Sequence, residues 1–219
     1  MHRLYTTWEW LLEVFFPRPS NVAIFDTIDP DTLMRYARGT QWYVPLNYPC
    51  IAPLAYKAPL VRDAIHAAKY HGHLRASEVL AQAIAPCVAE DLADRQAFGT
   101  FTELYITAIP LHPLRQKERG FNQSERIARV LAETMGLPDR YRELLVRIRN
   151  TDPQARNRDK SERMRNMNKA FRVADGVDVR GKDILLVDDV VTTGATMRWA
   201  RTALEKGGAR NVLCIAVAH

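Results

Sequence analysis

The sequence predicts an α/β fold, a mostly parallel twisted sheet flanked by helices, and three observations carry that expectation. Short aliphatic runs, "LYITAI", "DILLV" and "VLCIAV", alternate with stretches whose apolar residues recur at helical spacing. Strand, helix, strand in that succession requires crossover connections, and a crossover makes neighbouring strands parallel. The run Ile184 to Val187 is apolar at every position, as a strand covered on both faces must be. At 219 residues the chain has room for one such domain and a small appendage.

Taken in order, "MHRLYTTWEWLLEVFF" reads as an amphipathic helix, with Leu4, Trp8, Leu11, Leu12 and Phe15 on one face. Glu9 and Glu13 interrupt it and no small-residue cleavage site follows, which argues against a signal peptide. Residues 17 to 56, rich in Pro, Tyr and Asn, read as an irregular arm, so the division is 1–55 arm and 56–219 main domain. "PLVRDAIHAAKYHG" is a helix with Pro59 at its start and Gly72 near its end. "LRASEVLAQAIAPCVAEDLA" is a second helix that Pro86 should kink or divide. Then come the strand "LYITAI", the helix "NQSERIARVLAETMGLP" ended by Gly136, and the short strands "LLVRI" and "KAFRV" around a basic segment. "DILLV", the helix "ATMRWARTALEKGG" and "VLCIAV" complete the core.

Charge narrows the function classes. The chain carries +6, yet Arg140 to Arg172 holds eleven Lys or Arg against four Asp or Glu, a local +7. That segment alone accounts for the imbalance. Within the longest charge-free stretch, Trp42 to Tyr56 contains three prolines and cannot insert in a membrane as a helix. Cys50, Cys87 and Cys214 lie far apart with no CxxC pair, which indicates a reducing, cytoplasmic setting.

The stretch "ILLVDDVVTTGAT" holds the chemistry. A buried strand does not ordinarily end in two carboxylates, Asp188 and Asp189. After them, Thr192, Thr193, Gly194, Ala195 and Thr196 lead into a helix N-terminus, where exposed N–H groups and the helix dipole favour an anion such as phosphate. The acidic pair would repel that phosphate unless it addresses hydroxyls of the same ligand. A sugar phosphate meets both demands.

These thirteen residues resemble the signature of the type I phosphoribosyltransferases, which bind phosphoribosyl pyrophosphate (PRPP); the plain alternative is a strand-turn-helix corner with capping Asp and Thr. "IPLHPLRQKERGFNQSERIARVLA" looks like the segment that carries the pyrophosphate loop in ComF-family proteins. "TDPQARNRDKSERMRNMNKAF" is similar to that family's next signature, and Lys69, Tyr70 and Gly72 match its upstream helix. The resemblance covers roughly residues 55 to 219. It implies a type I phosphoribosyltransferase fold, ribose contacts from Asp188 and Asp189, and 5′-phosphate contacts from residues 192–196. Pyrophosphate would meet His112, Arg115, Lys117, Arg119 and Gly120, with Mg²⁺ arriving on PRPP. His112 and Asn122 each admit a purely conformational role as well.

Two departures qualify the match. ComF proteins commonly begin with a zinc ribbon of paired CxxC motifs, whereas Cys50 stands alone here and cannot build a four-ligand site; His66, His71 and His73 read better as surface or helix-end residues. No structural zinc is therefore expected. Asn157 stands where relatives carry an apolar residue. In purine-salvage relatives an acidic loop residue contacts the base, but here the position is Thr192, which cannot be a general base near neutral pH. The family resemblance also implies a role in natural competence, beside a translocating helicase on single-stranded DNA. Gln154, Arg156, Arg158 and Arg163 are the candidate flap or DNA contacts, although only Tyr141 and Phe171 interleave with the basic run as stacking platforms. An enzyme acting on PRPP and a non-catalytic binding protein both remain open at this point.

Overall fold

The computed structural model describes residues 22–39, 44, 46–99, 101–148 and 170–219. The first helix of the sequence reading and the four flap residues, Gln154, Arg156, Arg158 and Arg163, lie outside these described residues. The elements are α1 (Ile24–Thr27), α2 (Pro30–Ala37), β1 (Cys50–Ile51), α3 (Pro59–Tyr70), α4 (Leu74–Ala97), β2 (Leu104–Ala108), α5 (Pro113–Arg119) and α6 (Gln123–Thr134). After a 3₁₀ turn at Pro138–Arg140 follow β3 (Leu145–Arg147), β4 (Phe171–Val173), β5 (Asp183–Val190), α7 (Ala195–Lys206) and β6 (Asn211–Ala218).

Four strands form one parallel sheet in the order β1-β6-β5-β2. Successive residues of a strand face opposite sides, and the core divides on that parity. Leu185 and Val187 of β5, with Leu213, Ile215 and Val217 of β6, pack beneath α2, α3, α4 and α6. Ile184 and Leu186, with Val212, Cys214 and Ala216, pack instead under α7 and the β3–β4 pair. Covering both faces is what makes the run Ile184 to Val187 continuously apolar. The two strands expected around the basic segment do form, and they pair antiparallel from Leu145↔Val173 to Arg147↔Phe171.

Two expectations need correction. Pro86 does not divide its helix, which runs unbroken for 24 residues. Pro86 forfeits one backbone hydrogen bond, a penalty of about 3 kcal/mol, but the helix buries eleven side chains, and that burial outweighs it. The arm is also more ordered than its composition suggests. Asp29 caps α2 by accepting from the Thr32 amide, with Pro30 at the first helical position, and Cys50–Ile51 joins the central sheet beside β6. A two-residue strand whose partner lies at Cys214–Ile215 leaves no local periodicity to read. All three cysteines are buried; burial pushes the Cys50 thiol up to about 12.

At the opposite end of β5, Asp183 is fully buried. It accepts from the amides of Thr102 (2.6 Å) and Glu103 (3.3 Å), from Asn211 Nδ2 (2.9 Å) and from the Arg210 guanidinium. Burial alone would raise this carboxyl, but Arg210 and the Thr102 amide more than offset it, and the net shift is downward. A depressed carboxylate stabilises the fold above its unfolded pKa, near 3.9, and that contribution is lost as pH falls below this value. Asp183→Ala strands the two amides without an acceptor and is expected to lower unfolding free energy by on the order of 3 kcal/mol at neutral pH. Urea titrations near neutrality and in acid should show the variant's deficit shrinking as the parent protonates.

Candidate functional site

Strand β5 continues past Val187 to Val190, so Asp188 and Asp189 are within its last three residues, with Asp188 still opposite Ala216 of β6. Strand parity sends their carboxyls to opposite sides of the sheet. Asp189 follows Leu185 and Val187 toward the α3–α6 layer and is 5% exposed. Its Oδ2 accepts from Gln123 Nε2 (3.0 Å) and lies 3.4 Å from Lys69 Nζ, while its Oδ1 accepts from the Val190 amide (2.8 Å). Asp188 is half-buried and faces the mouth of α7, where it accepts from Ser124 Oγ (2.9 Å) and the Asp189 amide (3.0 Å).

The electrostatics follow from this placement. Loss of solvent and then the adjacent Asp189 charge push the Asp188 carboxyl well above the ordinary carboxylate range, against the pull of Ser124 and Lys69. For Lys69 the largest influence is Asp189, which raises its pKa and keeps the ammonium charged despite burial. Sequence reasoning named Lys69 only as part of the family match and gave it no role in the site. The signal for a role was present, since Lys69 follows the buried Val61 and Ile65 at spacings of four on α3, and a half-buried lysine continuing an apolar stripe calls for a carboxylate.

The threonine-glycine loop sits where expected. Thr192, Thr193 and Thr196 are exposed, Ala195 opens α7, and the loop with Asp188 and Met197 lines a cleft of about 50 Å³. That volume suits an oxyanion, and a pentose would extend outward over Asp188. Gly194 caps α7 in the left-handed region at φ 69°. Tyr48 Oη donates to its carbonyl at 2.7 Å, and a Cβ at this position would lie 2.6 Å from that hydroxyl and 2.7 Å from Leu46 Cδ1. The arm therefore seats the threonine-glycine loop.

The expected pyrophosphate residues each have their own partners. His112 caps α5, its ring accepting from the Leu114 amide at 3.3 Å, so the conformational role is the one that the structure displays. Gly120 ends α5 at φ 78°. Arg119 donates to Gln123 Oε1 (2.7 Å) beside Asp189, Arg115 is half-buried near Arg147, and Lys117 lines a separate cleft with Gln116, Tyr141 and Arg147. Asn122 caps α6 through the Ser124 amide and donates to the Ile109 carbonyl. Phe121 packs on Gly72 and beneath the Arg126 guanidinium. His73 caps α4, and His66 lies against Tyr56 and Tyr70.

Gly194→Ala combines a left-handed backbone with an overlap against Tyr48, so it should open the loop and weaken inorganic phosphate binding at least tenfold by calorimetry. Tyr48→Phe removes only the hydroxyl and should cost about 1 kcal/mol of stability in thermal unfolding.

The phosphoribosyl transferase domain matches residues 74–219. The chain is 36% identical over 121 residues to the competence protein ComFC of Bacillus subtilis, covering 52% of this chain and 46% of that protein. It is 33% identical over 138 residues to the DNA utilization protein YhgH of Salmonella typhimurium, covering 63% and 59% respectively. The chain thus spans about half the length of these curated relatives. Among solved structures, the glutamine PRPP amidotransferase of B. subtilis, complexed with ADP and GMP, is similar at a TM-score of 0.41 and 19% identity, over 66% of this chain and 27% of that one. With the domain match running from the start of α4 to the last residue, and ComFC and YhgH as relatives, the chain belongs to the ComF-type branch of the type I phosphoribosyltransferase family.

Proposed function

We propose that this chain binds PRPP with Mg²⁺ at the tip of β5 and, in the cytoplasm, serves the handling of DNA taken up during competence. One observation carries the reading. A half-buried acidic residue, Asp188, stands at the rim of an oxyanion-sized cleft built from a helix N-terminus and exposed threonine hydroxyls. The loop 192–196 takes the 5′-phosphate. Asp188, as an acceptor, takes a ribose hydroxyl, and Asp189 closes the far side of the pair.

The donor set fits Mg²⁺ that arrives on PRPP, because Asp188 keeps an exposed edge and shares its cleft with Thr192, Thr193 and Thr196, all oxygen-bearing side chains. The bound ion would offset charge on the departing pyrophosphate. The chain's own residues bind and orient: Arg119 and Arg115 supply positive charge beside the pair, and Asp188 holds the sugar. Zinc has no part in this proposal, since Cys50 is buried in the sheet.

Group transfer to an acceptor is the finer part of the reading. The names of the relatives, competence protein and DNA utilization protein, support a link to DNA. A specific observation favours a second reading, a PRPP-dependent binding protein without turnover: Asp189 is saturated by Lys69, Gln123 and the Val190 amide, and Thr192 replaces the acidic loop residue, so neither offers a proton acceptor.

Calorimetry with PRPP and Mg²⁺ should show binding by the parent and a loss of at least tenfold in Asp188→Ala; equal affinity in the two proteins would remove the ribose assignment. Pyrophosphate release in the presence of amines, bases and single-stranded DNA then separates transfer from binding alone. Charge reversal at Arg156, Arg158 and Arg163 should weaken single-stranded DNA binding and flatten its salt dependence by about one unit of slope per lost phosphate contact.

A further inference from the structure

We propose that Lys69 is a positioning residue that locks the ribose-facing acidic pair and the pyrophosphate-side arginine Arg119 into one unit. The inference rests on the PRPP reading of the site and extends it to a helix that none of the ribose, 5′-phosphate or pyrophosphate contacts expected from the family resemblance comes from.

The geometry is a closed circuit. Lys69 Nζ stands 3.4 Å from Asp189 Oδ2, the oxygen that also accepts from Gln123 Nε2 at 3.0 Å. Gln123 Oε1 in turn accepts from Arg119 Nη1 at 2.7 Å. The Arg119 guanidinium lies 5.6 Å from the centre of the Tyr70 ring, and Lys69 Nζ lies 5.8 Å from the same ring. The path leaves α3 at Lys69, crosses β5, α6 and α5, and returns to α3 at the next residue. The central link has one orientation: the Gln123 amide can donate to Asp189 and accept from Arg119 in only one way round.

The end of α3 is itself held still. Gly72, at φ 63°, accepts from Arg126 Nη1 at 3.0 Å through its carbonyl, and a Cβ there would meet the Phe121 ring at 3.1 Å. Lys69 therefore projects from a turn pinned to α6, the helix that supplies Gln123 and Ser124. Its charge matters as much as its position. Two adjacent carboxylates repel each other in a site shielded from water, and the ammonium offsets that repulsion from the sheet face away from the anion loop. A cation on the loop side would compete with ligand; one behind Asp189 does not.

The test uses the full chain and five proteins: parent, Lys69→Met, Lys69→Arg, Asp189→Asn and the Lys69→Met/Asp189→Asn double variant. In Lys69→Met, Mg²⁺-dependent PRPP binding should weaken roughly tenfold or more, while inorganic phosphate binding at the 192–196 loop stays at the parent level. Lys69→Arg keeps the charge and should recover most of the loss. The double variant should bind PRPP no worse than Asp189→Asn alone. Parent-like PRPP affinity in Lys69→Met, an equal fall in phosphate binding, or additive losses in the double variant would each overturn the proposal. Should the parent fail to bind PRPP, the functional reading falls on its own. The cycle of parent, Lys69→Met, Asp189→Asn and their double variant, read by thermal unfolding, then decides Lys69, since a positioning contact leaves a non-additive midpoint shift and its absence removes the role.

Discussion

Two carboxylates in succession at the end of a strand covered on both faces set the terms for the rest of this molecule. Water cannot solvate Asp189, and the Asp188 charge lies one residue away, so the protein has to supply donors from two directions at once. It does so by bringing α6 across the strand tip, where Gln123 reaches Asp189 and Ser124 reaches Asp188. For both to reach, α6 must begin at one place. Asn122 fixes that place by capping the helix while tying itself to the Ile109 carbonyl at the end of the neighbouring strand. A cap worth about 1 kcal/mol in stability thereby sets the register of the site.

The sequence disclosed most of this framework because the framework is local. A continuous apolar run, a glycine after a helix and a threonine-glycine turn before one each act within a few residues, and β5, α7, β6 and α6 were all legible from them. What escaped reading acts over distance. β1 is two residues long and takes its meaning from Cys214 and Ile215. Pro86 signals a break by local rules, yet eleven buried side chains hold its helix together. The acidic pair was visible as a pair, and strand parity, which sends its members to opposite faces, was the available clue that they take different partners within the fold. Lys69 continued the apolar stripe of α3 and would have been given its role by asking what a half-buried ammonium requires.

Position also sorts the basic residues of the "LRQKERG" segment, which composition treats alike. On a short helix, neighbours in sequence point in different directions. Arg119 turns to Gln123 and Tyr70, Lys117 to the cleft beside Tyr141 and Arg147, and Arg115 toward Arg147. Only Arg119 is bonded into the network around Asp189, so it is the cation whose placement depends on the acidic pair. The other two carry positive charge to the same end of the sheet without a fixed partner in that network.

The two halves of the strand tip are therefore anchored from opposite faces and by different segments. On one face, Leu46 and Tyr48 of the arm close against Gly194 and hold the anion loop in its left-handed turn. On the other, α3 holds Asp189 through Lys69. Neither segment belongs to the strand-loop-helix signature itself, and a signature grafted without them would keep its residues and lose their geometry. Backbone N–H groups at a helix N-terminus bind an anion only if the turn that presents them is fixed, and a buried carboxylate keeps its orientation only if its charge is answered. Segments on the flanks of the core thus decide whether the motif is a site.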